Sequence, residues 1–356
     1  MREAHISFDR ESDLDRRDAG PDGRIVGRAA WHRAAAALAA SLPLASCSGI
    51  QSALDPAGEE ASQVATLFWV MTAGGGVIWA LVVALSLYAS RWKRRPVSEK
   101  AAGRLIFWAG VAFPVAVLTA LLAYALWLMP SLRPFAGTER ASLRIEVVGS
   151  QFWWHVVYHR PGGADVVSAN EIRLPVGERV EFSLTSADMI HSFWIPALGG
   201  KMDLVPGRVN RLSLKATRAG TYRGQCAEFC GTAHALMAFP VVVMDSGALD
   251  AWLDARSVPS AGIEDAQPGQ AVFLRRDCGD CHRVAGTPAR GTAAPDLSHV
   301  GSRLTIGAGL LDNDLETMAR FVAHSASLKP ASRMPAYADL SEDELAAVAA
   351  WLKGLQ

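Results

Sequence analysis

Over 356 residues, 35 lysines and arginines are balanced by 35 aspartates and glutamates, so the formal net charge is zero. That balance lacks the basic excess that nucleic-acid binding leaves in a composition. Half of the residues are hydrophobic, and their concentration in two long runs argues against a wholly soluble chain.

Residues 1–47 read as a leader. Arg24, Arg28 and Arg33 precede an alanine-rich run at 34–45, and Leu44-Ala45-Ser46-Cys47 follows. This looks like a bacterial lipoprotein signal, in which Cys47 would be lipidated and begin the mature protein. A simple cleaved signal or an uncleaved tail is the alternative. Two membrane helices are expected within 60–132, at about 64–90 and 105–129, because neither run contains Asp, Glu, Lys, Arg or His and each exceeds the roughly 20 residues that span a bilayer. Between them lie Arg91-Trp92-Lys93-Arg94-Arg95, Lys100 and Arg104, the basic excess of a cytoplasmic loop. Both outer flanks then face outward, giving a multi-pass protein of the bacterial plasma membrane with its later domains on the periplasmic or outer face.

From 138 to 246 the apolar residues come in short β-branched runs separated by turns such as Pro175-Val176-Gly177 and Arg218-Ala219-Gly220. Strands are expected at 143–148, 153–158, 179–185, 208–215 and 239–244, and a Greek-key β-sandwich follows. His191 sits upstream of a sulfur-rich loop at 226–237, which is the cupredoxin arrangement of a remote histidine and a C-terminal cysteine loop. That loop reads Cys226-Ala-Glu-Phe-Cys230-Gly-Thr-Ala-His234-Ala-Leu-Met237. Thiolate, thioether and imidazole are soft donors suited to copper. Zinc on Cys226, Cys230, His234 and one remote histidine is a rival that leaves Met237 unexplained, and a Cys226–Cys230 disulfide is another.

Residues 247–268 read as a helix and a linker. An all-α cytochrome c domain is expected at 269–356, because Cys278-Gly-Asp-Cys281-His282 has the C-x-x-C-H spacing of covalent haem attachment, with His282 ligating the iron. Met334, in Arg333-Met334-Pro335, is the expected second axial ligand. Met318 is the alternative, but its neighbours at helical spacing place it in a core. Ser341 and Glu344 form a capping box ahead of a terminal helix with Leu345, Val348, Trp351 and Leu352 on one face.

Taken together, His191-Ser-Phe-Trp-Ile-Pro196, Gly200-Lys-Met-Asp203, Pro206-Gly-Arg-Val-Asn210 and the 226–237 loop closely resemble subunit II of haem-copper cytochrome c oxidases. The appended C-x-x-C-H domain resembles the bacterial caa-type subtype in which cytochrome c is fused to this subunit. The resemblance implies a dinuclear copper A centre with bridging Cys226 and Cys230, terminal His191 and His234, and Met237 and the Glu228 carbonyl as weak ligands. It also implies a magnesium ion on the Glu228 carboxylate, with Asp203 supporting it through water. The implied partners are subunit I, which holds the dioxygen site, and subunit III. Cytochrome c or a quinol–cytochrome c reductase would be the electron donor. A nitric oxide reductase subunit with the same copper centre, or a membrane-anchored carrier without an oxidase, are the competing functions.

Where the family commonly has a tryptophan for electron entry, this chain has Phe152, within Gln151-Phe152-Trp153-Trp154. The expectation is that the tethered haem feeds the copper by another path, with Trp153 or Trp154 as substitutes. Phe152→Ala should then leave haem-to-copper transfer standing; a collapse in its rate would refute this.

Overall fold

The first turn of a membrane helix is pinned to the soluble domain by a buried ion pair. In the computed structural model, which describes residues 48–91, 98–129, 141–160, 162–260 and 267–356, helix α1 (Glu59–Arg91) starts with two acids. Glu60 Oε1 lies 2.6 Å from Arg179 Nη1, and its other oxygen accepts from the Lys215 amide at 3.1 Å. Cys47 and the basic residues Lys93, Arg94 and Arg95 lie outside the described residues. Helix α2 (Glu99–Leu128) opens on a Ser98 cap whose hydroxyl accepts from the Ala101 amide, and it carries one π-helical turn at Trp108–Ala112. Both helices are long and apolar enough to cross a membrane, and side chains such as Val77 and Trp127 are exposed as lipid-facing groups would be.

Ten strands build two five-stranded sheets packed face to face. The first sheet has β1 (Leu143–Ser150), β2 (Trp153–His159), β3 (Val166–Ala169), β5 (Arg179–Ser186) and β8 (Asn210–Lys215), in the order β3-β2-β1-β5-β8. The second has β4 (Ile172–Pro175), β6 (His191–Trp194), β7 (Met202–Leu204), β9 (Gly220–Cys226) and β10 (Ala238–Met244), in the order β4-β10-β9-β6-β7. Strict alternation along β2 buries Trp154, Val156 and Tyr158 and turns Trp153, His155 and Val157 outward. Trp154, Phe193 and Phe239 meet at the centre, with ring centroids 4.9 to 5.9 Å apart. Gly224 makes room for this cluster, since a Cβ there would lie 2.2 Å from the Phe239 ring. The expected cupredoxin-like sandwich is present.

Helix α3 (Ser246–Arg256) closes the sandwich, setting the Trp252 ring edge-to-face with Tyr158 and beneath the Arg256 guanidinium. The last part of the chain is helical: α4 (Pro268–Arg275), the single turn α5 (Cys278–Cys281), α6 (Leu315–Leu328) and α7 (Glu342–Gly354). Its core gathers Phe273, Met318, Val322, Val348 and Trp351. Ser341 and Glu344 form the expected capping box. A two-residue ladder, β11 (Thr305–Ile306) with β12 (Leu311–Asp312), makes a small hairpin.

Burial also sets an acid limit on this fold. It pushes the imidazoles of His155 and His299 below the ordinary histidine value, against the opposing pull of Glu146 on His155 and of the Gln356 carbonyl on His299. The unfolded chain accepts protons at these two histidines that the folded one refuses, so the stability they contribute is full above about pH 6.5 and is lost as pH drops through that value. Thermal unfolding followed from pH 8 to pH 5.5, roughly the histidine range, should show a falling midpoint, with a smaller fall in His299→Gln.

Candidate metal and haem sites

The sulfur-rich loop is the β9–β10 connection. Its base is closed by the Cys226 amide donating to the Met237 carbonyl at 2.8 Å, and one 3-10 turn, His234–Leu236, folds it back. Strand β6 pairs antiparallel with β9, setting Phe193 opposite Cys226, which brings His191 over the loop. Gly149 on β1 admits the imidazole, since a Cβ there would lie 2.9 Å from His191 Cδ2.

These elements assemble a compact soft-donor set. Cys226 Sγ and Cys230 Sγ are 3.8 Å apart, and both cysteines are free and buried. That separation excludes a disulfide, which needs about 2.05 Å. Two thiolates each about 2.3 Å from a shared tetrahedral ion lie roughly 3.8 Å apart, so the spacing suits bridging. His191 Nδ1 is 3.9 Å from Cys226 Sγ, and His234 Nδ1 is 3.6 Å from Cys230 Sγ. Met237 Sδ lies 3.9 Å from Cys230 Sγ, and the Glu228 carbonyl 3.2 Å from Cys226 Sγ. All six expected donors converge. Such a set fits copper better than a hard cation, and the thioether and carbonyl exceed what one tetrahedral zinc would take.

Protonation favours ligation. Hydrogen bonding from Cys230, against the cost of burial, draws the Cys226 thiol well down, helped by His191. One thiol proton shared between the two sulfurs is the arrangement that a soft cation replaces.

Asp188 was not visible in the sequence as part of the site. Its Oδ1 lies 2.8 Å from His191 Nε2, and its Oδ2 accepts from the Gln151 amide at 2.7 Å. Gln151 Nε2 donates in turn to the Cys230 carbonyl at 2.7 Å. The carboxylate therefore fixes which His191 nitrogen faces the sulfurs. Burial alone would raise its own pKa, but bonds from Gln151, His191 and Met189 hold it below the usual value. Asp188→Asn should weaken copper retention by about 10–100-fold, read by competition with a chelator.

Of the three aromatic path candidates, Trp154 is buried with its ring 6.2 Å from that of His191. Phe152 is buried beside Gly231 of the loop, and Trp153 is half-exposed against His155. The Glu228 and Asp203 carboxylates share Lys201, whose Nζ lies 3.3 Å from Glu228 Oε2 and 3.2 Å from Asp203 Oδ1. Both therefore reach the same ammonium, at the exposed edge of the loop.

In the helical domain, α5 holds Cys278 and Cys281, and His282 follows immediately. His282 Nδ1 lies 2.7 Å from the Pro295 carbonyl, which leaves Nε2 for a metal. Burial pushes this imidazole towards its neutral form, as ligation requires. Met334 packs half-buried against the same core, and Ser325 Oγ donates to its carbonyl at 2.9 Å. Met318 lies inside the core on α6, as its helical neighbours indicated.

Residues 160–246 match the model of the cytochrome C oxidase subunit II periplasmic domain, and residues 266–356 that of cytochrome c. Cytochrome c oxidase subunit 2 of Alkalihalophilus pseudofirmus is 41% identical over 218 residues, 60% of this chain and 61% of its own length. The aligned stretch thus reaches about six tenths of that relative. Cytochrome c oxidase subunit 2 of Branchiostoma lanceolatum is 36% identical over 162 residues, 38% of this chain and 67% of its own. Among solved structures, the periplasmic domain of subunit II of cytochrome oxidase (CoxB) of Bradyrhizobium japonicum is 31% identical, with 34% of this chain and 97% of that one covered and a TM-score of 0.32. A two-helix membrane segment, a cupredoxin-like sandwich and a C-x-x-C-H domain thus occur in one chain, which belongs to the cytochrome c oxidase subunit II family and carries a cytochrome c domain after the sandwich.

Proposed function

We propose that this chain is the electron-entry subunit of a terminal respiratory oxidase. Electrons enter at the C-x-x-C-H domain, pass to the 226–237 loop, and leave for a subunit I that reduces dioxygen to water with proton pumping. The convergence of two thiols, two imidazoles, a thioether and a carbonyl where the 226–237 loop meets His191 at the start of β6 carries this reading. When bound, a covalent haem c and a dinuclear copper A centre supply one-electron redox chemistry at potentials tuned by their ligands.

The chain's own residues have separable tasks. Cys278 and Cys281 would hold the haem covalently, and His282, oriented by the Pro295 carbonyl, and Met334 would hold its iron. Cys226, Cys230, His191, His234, Met237 and the Glu228 carbonyl would hold the copper. Burial of Cys230 and Met237 keeps water off the centre. Phe229, 77% exposed on the loop, and the exposed Ile190 offer an apolar face to a partner in the membrane. The shared reach of Glu228 and Asp203 supports a magnesium site at that junction with subunit I. The domains are proposed as 60–132 membrane hairpin, 138–246 cupredoxin, 247–268 helix and linker, and 269–356 cytochrome c.

Purification from membranes tests this. Co-isolation with a large haem-containing subunit, and dioxygen uptake with reduced cytochrome c, are the expected results. Isolation of this chain alone, without uptake, would overturn it in favour of a carrier.

A further inference from the structure

The helical domain meets the sandwich beside the metal loop through a hairpin tip and one buried lysine. Between β11 and β12, Gly307, Ala308 and Gly309 have φ values of +66°, +67° and +76°, a left-handed run that an alanine rarely enters. The bend presses the tip against the sandwich. The Ala238 amide, directly after Met237, donates to the Ala308 carbonyl at 2.9 Å, and Arg223 Nη1 donates to the Gly309 carbonyl at 3.1 Å. Ala308 is 1% exposed. A Cβ on Gly309 would lie 3.0 Å from the Ala238 carbonyl carbon, so a side chain there, already strained at a positive φ, would push the tip back from the sandwich.

Lys329, just past α6, completes the contact. Its Nζ donates to the Phe152 carbonyl at 2.7 Å in the sandwich and to the Gly307 carbonyl at 2.6 Å in the hairpin. Phe152 rests on the metal loop, because a Cβ on Gly231 would meet its ring at 3.2 Å. A buried ammonium is costly, and a position that merely filled space would take an apolar side chain. Lys329 is buried nonetheless, at 4% exposure, and it ties together one carbonyl from each domain.

We propose that the 307–310 hairpin tip and Lys329 form a docking joint that seats the haem domain on the metal loop, with Lys329 as a positioning residue for transfer between the two centres. The transfer role rests on the proposed function; the joint itself does not. The joint is stereochemically specific at Gly309 and chemically specific at Lys329, so the two can be broken independently.

Lys329→Met keeps the side-chain volume and removes the donors, while Gly309→Val forces the tip away. In the full chain, hydrogen exchange at the Ala238 amide reports docking directly, since its acceptor lies in the other domain. Exchange should quicken roughly tenfold in each variant, the scale of lost bonds to buried acceptors. Amides within β1 and β2 should be unchanged, as should the haem and copper spectra, while haem-to-copper transfer slows. Unchanged Ala238 protection in both variants would overturn the joint. Faster exchange with an unaltered transfer rate would overturn the positioning role. Absence of transfer in the parent protein would instead refute the proposed function, leaving the exchange result to stand on its own.

Discussion

Cys226→Ser should abolish the paired-copper spectrum and stop electron flow from haem to the catalytic partner, while the haem c spectrum survives. A hydroxyl is a harder and far less acidic donor than a thiol, so it neither bridges two soft ions nor deprotonates in the way that Cys230 and His191 induce in Cys226. The fold should tolerate the change, because Cys226 is the last residue of β9 and its amide bond to Met237 is a backbone bond. Transfer from the haem should fall by at least about 10³-fold, as for loss of an element acting as a unit. A retained copper spectrum with normal transfer would show that Cys226 is not a bridge.

Trp154→Ala should be the most damaging substitution in the sandwich. Trp154 is fully buried, with its ring centroid 5.9 Å from that of Phe193, 5.2 Å from Phe239 and 6.2 Å from His191. Truncating a buried tryptophan costs about 3–5 kcal/mol through lost burial and an unfilled cavity. The cavity opens behind a metal ligand, so the variant should lose copper at a lower denaturant concentration than it loses β-structure. Trp153→Ala, at a half-exposed neighbour on the other face of β2, should leave stability nearly unchanged. Chemical denaturation followed at once by copper absorption and circular dichroism checks both outcomes; equal stability of the two variants would contradict this account of the core.

Why the donor set was legible while its supports were not follows from how local each signal is. Cys226, Cys230, His234 and Met237 lie within one loop, and Cys278, Cys281 and His282 within one turn, so spacing along the chain is already spacing in the fold. Strands β1, β2, β5, β8 and β10 were legible for the same reason, since β-branched alternation is local. The expected start of β8 at residue 208 moves to Asn210, because Val205 and Arg208 pair across the Pro206-Gly207 turn. Strand β9 was missed: it contains Gly220, Arg223 and Gly224, which weaken a strand pattern, yet Gly224 is needed under the Phe239 ring. Strands β3, β4, β6 and β7 have four residues or fewer and carry little periodicity.

Asp188 and Lys329 were invisible for a different reason. Each reads as an ordinary solvated charge, one after a strand and one after a helix. Their partners are Gln151 and His191 for the aspartate and Phe152 and Gly307 for the lysine. Only the packing of sheet on sheet and of domain on domain creates those contacts. The same holds for Glu60, which a sequence reading assigns to the approach to a membrane helix but which folding buries against Arg179.

In the proposed function, one chain relays electrons from its own haem domain to its own metal loop. Its most direct test is a single-turnover experiment on the intact membrane complex, in which the haem is reduced by a flash and both centres are followed optically. The expected result is haem oxidation matched in time and amplitude by reduction of the copper centre, and lost in Cys226→Ser. Haem oxidation that proceeds at the same rate in Cys226→Ser, with electrons reaching the catalytic partner regardless, would contradict it.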